Sequence, residues 1–453
     1  MYNTMIRAYV QMQAPSLAIW CYLRSLRDGF TGNRYTFTPL IKASSLLLPL
    51  SPGRLVHAHV AKCGFSDDEF IQSALIEFYS LVPDMETART VFDLSSKRDV
   101  VLWTAILNGY AKAGDMKTAG ELFDRMPERN VISWSALIAG YSLVGDYEEV
   151  LYLFQQMLEL GMKPNESLLV SVLTACAHLG ALAQGVWIHS YVKRWNYLHS
   201  NSILGTALVD MYAKCGCIAS ALSVFYGTSP KDVAAWNAII SGVAMSGDSG
   251  KSVQLFKAML ESGIQPNDVT FIAILSSFTH SGLVNEGLKF YNQMSTVYGV
   301  EPRAEHNACV VDLLGRAGLL EEAVKFIDEK LRDLGGGDCN IWGALLNACR
   351  IHGDVKLVNK IWGRIVRMGV ADCGIYVLLY NIYTEAGCQK EANKARELIK
   401  EEGLSKKPGC SFIEVNGVLE EFQAGNASLI QRKQISETLD SLVKVLRSEA
   451  SVY

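Results

Sequence analysis

One phrase of this chain returns at a nearly regular interval, and that return limits the fold more than any local feature. Trp103 to Tyr110 is followed by Gly114-Asp115 and then by Leu122, Phe123 and Met126. The same frame recurs at Trp134, Gly145-Asp146, Leu153, Phe154 and Met157, and again at Trp236, Gly247-Asp248, Leu255, Phe256 and Met259. A related frame without the tryptophan runs from Ala74 to Tyr79 and from Ala207 to Gly216. Self-similarity of this kind marks a row of stacked supersecondary units. Within one of them Trp103, Ile106, Leu107 and Tyr110 share a helical face, Gly114-Asp115 stops that helix, and Ala119, Leu122, Phe123 and Met126 line a second. Each repeat is therefore predicted to be a helical hairpin. Its apolar faces exceed what two helices cover alone, so the hairpins must stack into an all-α pile with a concave side. The Trp, Leu, Phe and Met positions are read as core. Functional side chains are expected among the polar residues at helix starts and repeat junctions.

The junctions fall at Asn33, Asp68, Asp99, Asn130, Asn165, Asn201, Asp232 and Asn267, with steps of 35, 31, 31, 35, 36, 31 and 35 residues. Tetratricopeptide repeats keep a constant step, and HEAT and armadillo repeats run longer. The ordered variation, together with Gly161–Asn165 (GMKPN), Leu173–Gly180 (LTACAHLG), Met211–Gly216 (MYAKCG), Val311–Gly318 (VDLLGRAG) and Ile341–Arg350 (IWGALLNACR), resembles the plant pentatricopeptide-repeat family. The likeness is to the subclass in which standard, long and short repeats alternate, and it covers essentially the whole chain. It implies a right-handed superhelical solenoid of helix-turn-helix repeats over residues 1–303, the first one truncated, with a final short repeat over 304–337. It also implies E1 and E2 extension motifs over 338–405. Residues 406–453 are then the truncated opening of a deaminase-like domain, a short β-hairpin turning at Asn416-Gly417, and a terminal amphipathic helix through Ile435, Leu439, Leu442, Val443 and Leu446.

The resemblance further implies that each repeat faces one base of a single-stranded RNA, chosen by the fifth and the last residue of the repeat. Asn3 with Asn33 is then expected to read a pyrimidine, Ser73 with Asp99 guanine, Thr104 with Asn130 adenine, and Ser135 with Asn165 adenine. Thr206 with Asp232 is expected to read guanine, and Asn237 with Asn267 a pyrimidine. Thr38 with Asp68 resembles a guanine pair but sits in a long repeat, while Val170, paired with Asn201, and Ile272 are apolar and cannot hydrogen-bond a base. The chemistry suits the assignment: a carboxylate accepts the protons of guanine, and a carboxamide both donates and accepts. Val101, Ile132, Ile203 and Ala234, second in their repeats, are expected to wedge between successive bases. The competing reading of the polar pairs is plain helix capping, because Ser, Thr, Asn and Asp are the preferred N-cap residues. Six pairs in matched register favour the reading role.

A formal charge of -4 and a pI near 6.1 argue against a bulk polycation that binds nucleic acid through phosphates alone. Cysteines at Cys176, Cys309 and Cys349 fall in apolar periodic stretches and point to a reducing compartment. No apolar run suggests a membrane span, and no small-molecule substrate or cofactor is expected. The chain opens inside a repeat, so any organelle presequence is expected to lie outside it. A zinc deaminase needs His-x-Glu and Cys-x-x-Cys. None of the eight histidines has Glu two residues later, and Cys215 and Cys217, read as lying in a repeat helix, have one residue between them rather than two. The extension motifs therefore imply a site-recognition factor for organellar C-to-U editing, in the mitochondrion before the chloroplast, with a deaminase-bearing protein of the family recruited in trans. Splicing or transcript protection on the same fold, and a peptide-binding scaffold, are the alternatives.

Overall fold

The computed structural model describes residues 1–47, 51–82, 84–194, 202–334, 339–368, 373–401, 410–415 and 418–423. The chain divides into two compact bodies, Met1–His178 and Leu179–Tyr453. The first is built from α1 (Tyr2–Gln11), α2 (Pro15–Arg27), α3 (Arg34–Ser44), α4 (Ser51–Lys62), α5 (Glu69–Leu81), α6 (Met85–Leu94), α7 (Val100–Lys112), α8 (Met116–Arg125), α9 (Val131–Val144), α10 (Tyr147–Glu159) and α11 (Glu166–Leu179). The second holds α12 (Leu182–Arg194), α13 (Ser202–Lys214), α14 (Ile218–Gly227), α15 (Val233–Met245), α16 (Ser249–Glu261), α17 (Asp268–Ser281) and α18 (Val284–Tyr298). It continues through α19 (Ala304–Arg316), α20 (Leu320–Leu334), α21 (Cys339–His352), α22 (Val355–Met368), α23 (Cys373–Glu385) and α24 (Gln389–Glu401). Two antiparallel strands follow, β1 (Cys410–Val415) and β2 (Val418–Gln423), with Val415 paired to Val418. The expected turn residues Asn416-Gly417, residues 406–409 of the opening segment before them and the expected terminal helix lie outside the described residues.

Local sequence explains each hairpin. Asp99 starts α7 by accepting the Leu102 amide on its side chain at 2.8 Å. Gly114 then leaves the helix at φ +79°, a conformation that glycine adopts without strain. Asp115 next caps α8 through the Thr118 amide at 3.1 Å. The Gly-Asp pair is thus a stop followed by a start, and Gly145-Asp146 and Gly247-Asp248 repeat it.

Packing then stacks the hairpins. Successive helices among α1, α3, α5, α7 and α9, and among α13, α15, α17, α19, α21 and α23, lie against one another, and α2, α4, α6, α8, α10 and the even-numbered helices from α14 to α24 pack on their hairpin partners, so in these repeats the first helices form one layer and the second helices the other. The joint between repeats is an aromatic pair of constant geometry. Trp103 meets Phe92, Trp134 meets Phe123 and Trp236 meets Phe225, each edge-on with ring centroids 4.8 Å apart. The three tryptophans are the ones that set the period, and all six rings are buried. Within the first-helix layer the backbones approach closely at small residues. A Cβ on Gly242 would stand 2.4 Å from the Ala213 Cβ, and one on Gly140 would stand 2.7 Å from the Ala111 Cβ. Gly242→Val is therefore expected to wedge α13 from α15 and to destabilise the protein by about 1–3 kcal/mol. Urea unfolding measures this, and an unchanged midpoint would show that the layer is not tightly packed there.

Candidate nucleic-acid interface

The residues at the junctions are helix caps that engage one polar side-chain atom and leave a second one open. Asn33, Asp68, Asp99, Asn130, Asp232 and Asn267 are N-caps in extended backbone conformation, and each uses Oδ1 to accept amides of the helix that follows. Asn130 Oδ1 takes the Ile132 and Ser133 amides at 3.0 Å, and Asp232 Oδ1 takes the Ala235 amide at 2.9 Å. Asn165 Oδ1 accepts from Leu168 at 2.9 Å in the same manner. A cap needs one oxygen. The second polar atom, Nδ2 of an asparagine or Oδ2 of an aspartate, has no partner among the described residues at any of these seven junctions. The capping reading and the base-reading role are therefore compatible, because they use different atoms of one side chain. An asparagine junction offers a donor and an aspartate junction offers an acceptor.

The fifth-position partners behave in three ways. Asn3 Nδ2 donates to Asn33 Oδ1 at 3.1 Å while Asn3 Oδ1 accepts from Thr36 at 2.7 Å. The pair Asn237 and Asn267 repeats this with Thr270, at 3.0 and 2.6 Å. Asn237 is only 7% exposed, and its carboxamide is taken up by Asn267 and Thr270. Thr38, Thr104 and Ser135 donate to the carbonyl four residues back, at 3.0, 2.7 and 2.7 Å. Ser135 Oγ also lies 3.3 Å from Asn165 Oδ1. The hydroxyls of Ser73 and Thr206 are buried and meet no partner, which leaves Asp99 and Asp232 as the solvent-facing members of their pairs. Hydrogen bonds thus join three of the expected pairs directly. They do not join Thr38 to Asp68, Ser73 to Asp99, Thr104 to Asn130, or Thr206 to Asp232. Val170 offers no hydrogen-bonding group, and its expected partner Asn201 lies outside the described residues.

The four second-position residues are exposed: Val101 by 63%, Ile132 by 62%, Ile203 by 61%, and Ala234 with them. The structure adds Tyr35, Phe70 and Val269 to this row, also exposed at the second position of their first helices. The junction register alone finds them. A further set was hidden in the triplets Arg98-Asp99-Val100, Arg129-Asn130-Val131 and Lys231-Asp232-Val233. The cation of each lies over the phenylalanine of the preceding second helix, Arg129 over Phe123 at 4.6 Å and Arg98 over Phe92 and Lys231 over Phe225 at 5.2 Å. Arg98 and Arg129 also donate to the carbonyls of Phe92 and Phe123, at 3.2 and 3.0 Å. These contacts fix where the junction residue emerges.

Cys215 and Cys217 correct one expectation: they lie in the turn between α13 and α14 rather than in a helix, because Gly216 at φ +77° ends α13 and Cys217 is the N-cap residue of α14. Among the described residues no group of three or more His, Cys, Asp or Glu is placed to hold a metal ion, and no helix is long and apolar enough to cross a membrane.

Stacked helical hairpins with a row of polar junctions on their first helices define an α-solenoid of the repeat type. The chain belongs to the pentatricopeptide repeat family, in the subclass with alternating repeat lengths and an E motif. It matches the PPR repeat over residues 1–30, 101–131, 132–162 and 269–296, the PPR repeat family over 231–280 and the E motif over 352–414. It is 40% identical over 451 residues to a mitochondrial pentatricopeptide repeat-containing protein of Arabidopsis thaliana, covering 100% of this chain and 66% of that one. It is 44% identical over 437 residues to pentatricopeptide repeat-containing protein ELI1, chloroplastic, of Arabidopsis thaliana, covering 96% and 68%. The chain therefore spans about two thirds of the length of these relatives. Its fold is similar to that of pentatricopeptide repeat protein PPR10, solved in complex with an 18-nt psaJ RNA element, with a TM-score of 0.70 at 18% identity over 88% of this chain and 60% of that one.

Proposed function

We propose that the protein is a sequence-specific reader of single-stranded RNA, one base per repeat, that marks a site for C-to-U editing in a plant organelle and leaves the chemistry to a deaminase in trans. The observation that carries the reading is the unengaged polar atom at each capped junction. A free Nδ2 donor at Asn130 and Asn165 suits the N1 acceptor of adenine, and a free Oδ2 acceptor at Asp99 and Asp232 suits the N1–H and N2–H of guanine. The stacking row of Val101, Ile132, Ile203 and Ala234 supports the same path. Taken in order along the RNA, the repeats call for pyrimidine, any base or guanine, guanine, adenine, adenine, any base, guanine, pyrimidine. The E motif favours editing over splicing or transcript protection, with residues 338–405 as the contact region for the partner. The named relatives are one mitochondrial and one chloroplastic protein, which supports an organelle and leaves the two level.

The test is a gel-shift competition between an RNA carrying that order and one with both adenines changed to guanine. At about 1–3 kcal/mol per well-formed base contact, the first is expected to bind at least thirty-fold more tightly. Equal weak binding to both would overturn base reading and bring forward the peptide scaffold.

A further inference from the structure

The exposed side of the second-helix layer differs between the first two hairpins and the two that follow. Ala18 of α2 stands where Ala88 and Ala119 stand in α6 and α8, each of them fully buried. Counted from that residue, Leu17, Trp20 and Leu23 correspond to Thr87, Thr90 and Asp93 of α6 and to Thr118, Glu121 and Asp124 of α8. Leu55 of α4, two residues after the buried Gly53, holds the same place as Trp20. These four apolar side chains are 48–70% exposed where the later two hairpins are polar. The two helices lie side by side, and Tyr22 and His59 meet across the seam with ring centroids 5.8 Å apart. The seam is thus filled, and the apolar side chains stand on a closed surface rather than line a groove. Neither helix contains Asp or Glu, while Arg24, Arg27 and Lys62 lie in their last turns and the Arg24 guanidinium lies over the Trp20 ring at 5.5 Å. By contrast, α10 carries its exposed Tyr152 together with Glu148, Glu149 and Glu159.

We propose that this face docks on an anionic lipid bilayer: Leu17, Trp20, Leu23 and Leu55 enter the headgroup region, and Arg24, Arg27 and Lys62 meet the lipid phosphates. Charge complementarity carries the choice, because a surface that sets basic side chains around tryptophan and leucine and holds no carboxylate is drawn to anionic lipid. A bilayer also yields to side chains that stand proud, whereas a docked helix needs a groove to enter. The contact places the chain on the bilayer, not across it. Both helices belong to the second-helix layer, so docking leaves the junction row on the first helices uncovered. Docking does not depend on base reading.

Co-sedimentation of the full chain with phosphatidylcholine vesicles, with and without phosphatidylglycerol, tests this. The parent is expected to sediment with the anionic vesicles and about ten-fold less with phosphatidylcholine alone. Trp20→Glu with Leu23→Asp puts on α2 the residues that α8 carries at the same places, Glu121 and Asp124, so the stack tolerates them. It is expected to lower binding to the anionic vesicles on the order of ten-fold. Arg27→Gln with Lys62→Gln is expected to lower it on the order of twenty-fold and to leave binding to phosphatidylcholine unchanged. Tyr152→Thr, at the same register on α10, is expected to change neither. No sedimentation with either vesicle, equal sedimentation with both, or binding kept by Trp20→Glu/Leu23→Asp overturns the proposal. So does a concentration-dependent dimer, or capture by an immobilised amphipathic helix of leucine and glutamate, that this variant abolishes while vesicles are not bound; the face then belongs to a second copy or to an acidic protein.

Discussion

Changing Asn130 and Asn165 together to Asp is expected to invert the base preference of two repeats while leaving the fold intact. In both residues Oδ1 holds the helix cap, through the Ile132 and Ser133 amides for Asn130 and the Leu168 amide for Asn165. Aspartate keeps that oxygen and is an equally good cap, so stability should move by less than about 0.5 kcal/mol. The free atom changes from a donor to an anionic acceptor. Binding to the RNA with two adenines should fall on the order of a hundred-fold, and the version with two guanines should rise to become the better ligand. Competition gel shifts on the parent and the double variant measure the switch, and a thermal melt confirms the intact fold. A variant that binds both RNAs as the parent does would remove the junction atoms from the recognition account.

The second large effect concerns the joints between repeats. Trp134 is 1% exposed and meets Phe123 edge-on at 4.8 Å. Trp134→Ala is expected to cost about 3–5 kcal/mol in urea unfolding. Trp134→Phe should cost much less, since it keeps an aromatic edge against Phe123 and the Trp134 Nε1 has no hydrogen-bond partner to lose. In a solenoid each repeat touches only its neighbours, so the damage should stay local. Hydrogen exchange should accelerate in α8 and α9 well before α1 and α3 respond. Uniform acceleration across the first body would mean that it unfolds as one cooperative unit.

The hairpins, the two layers and the junction register were readable because all three are periodic: Trp103, Trp134 and Trp236 repeat the same contact, and Gly-Asp marks the turn in each of those three repeats. What a residue's type cannot reveal is which of its atoms is free. Ser135 and Ser73 occupy the same register position, yet Ser135 donates to the Val131 carbonyl and Ser73 has no partner at all. Asn237 carried the chemistry of a reader and is buried against Asn267 and Thr270. Tyr35 and Phe70 were missed although the register points to them. They share a cleft that depends on Arg34 and Lys42 of one helix facing Arg7 of another, a juxtaposition across repeats that no single repeat encodes. Cys215 and Cys217 were read as helical, while the backbone turns at Gly216.

On the proposed reading, the junction side chain both caps a helix and reads a base, and that double use bounds what this lineage can become. A position that must start a helix admits a short list of side chains, and within that list Asn and Asp exchange a donor for an acceptor at almost constant helix stability. Their codons differ by one base. A duplicated copy of such a protein can therefore drift from one target to another through single substitutions that each leave a folded intermediate. Selection on the solenoid's stability, far from opposing new specificities, keeps the route to them open.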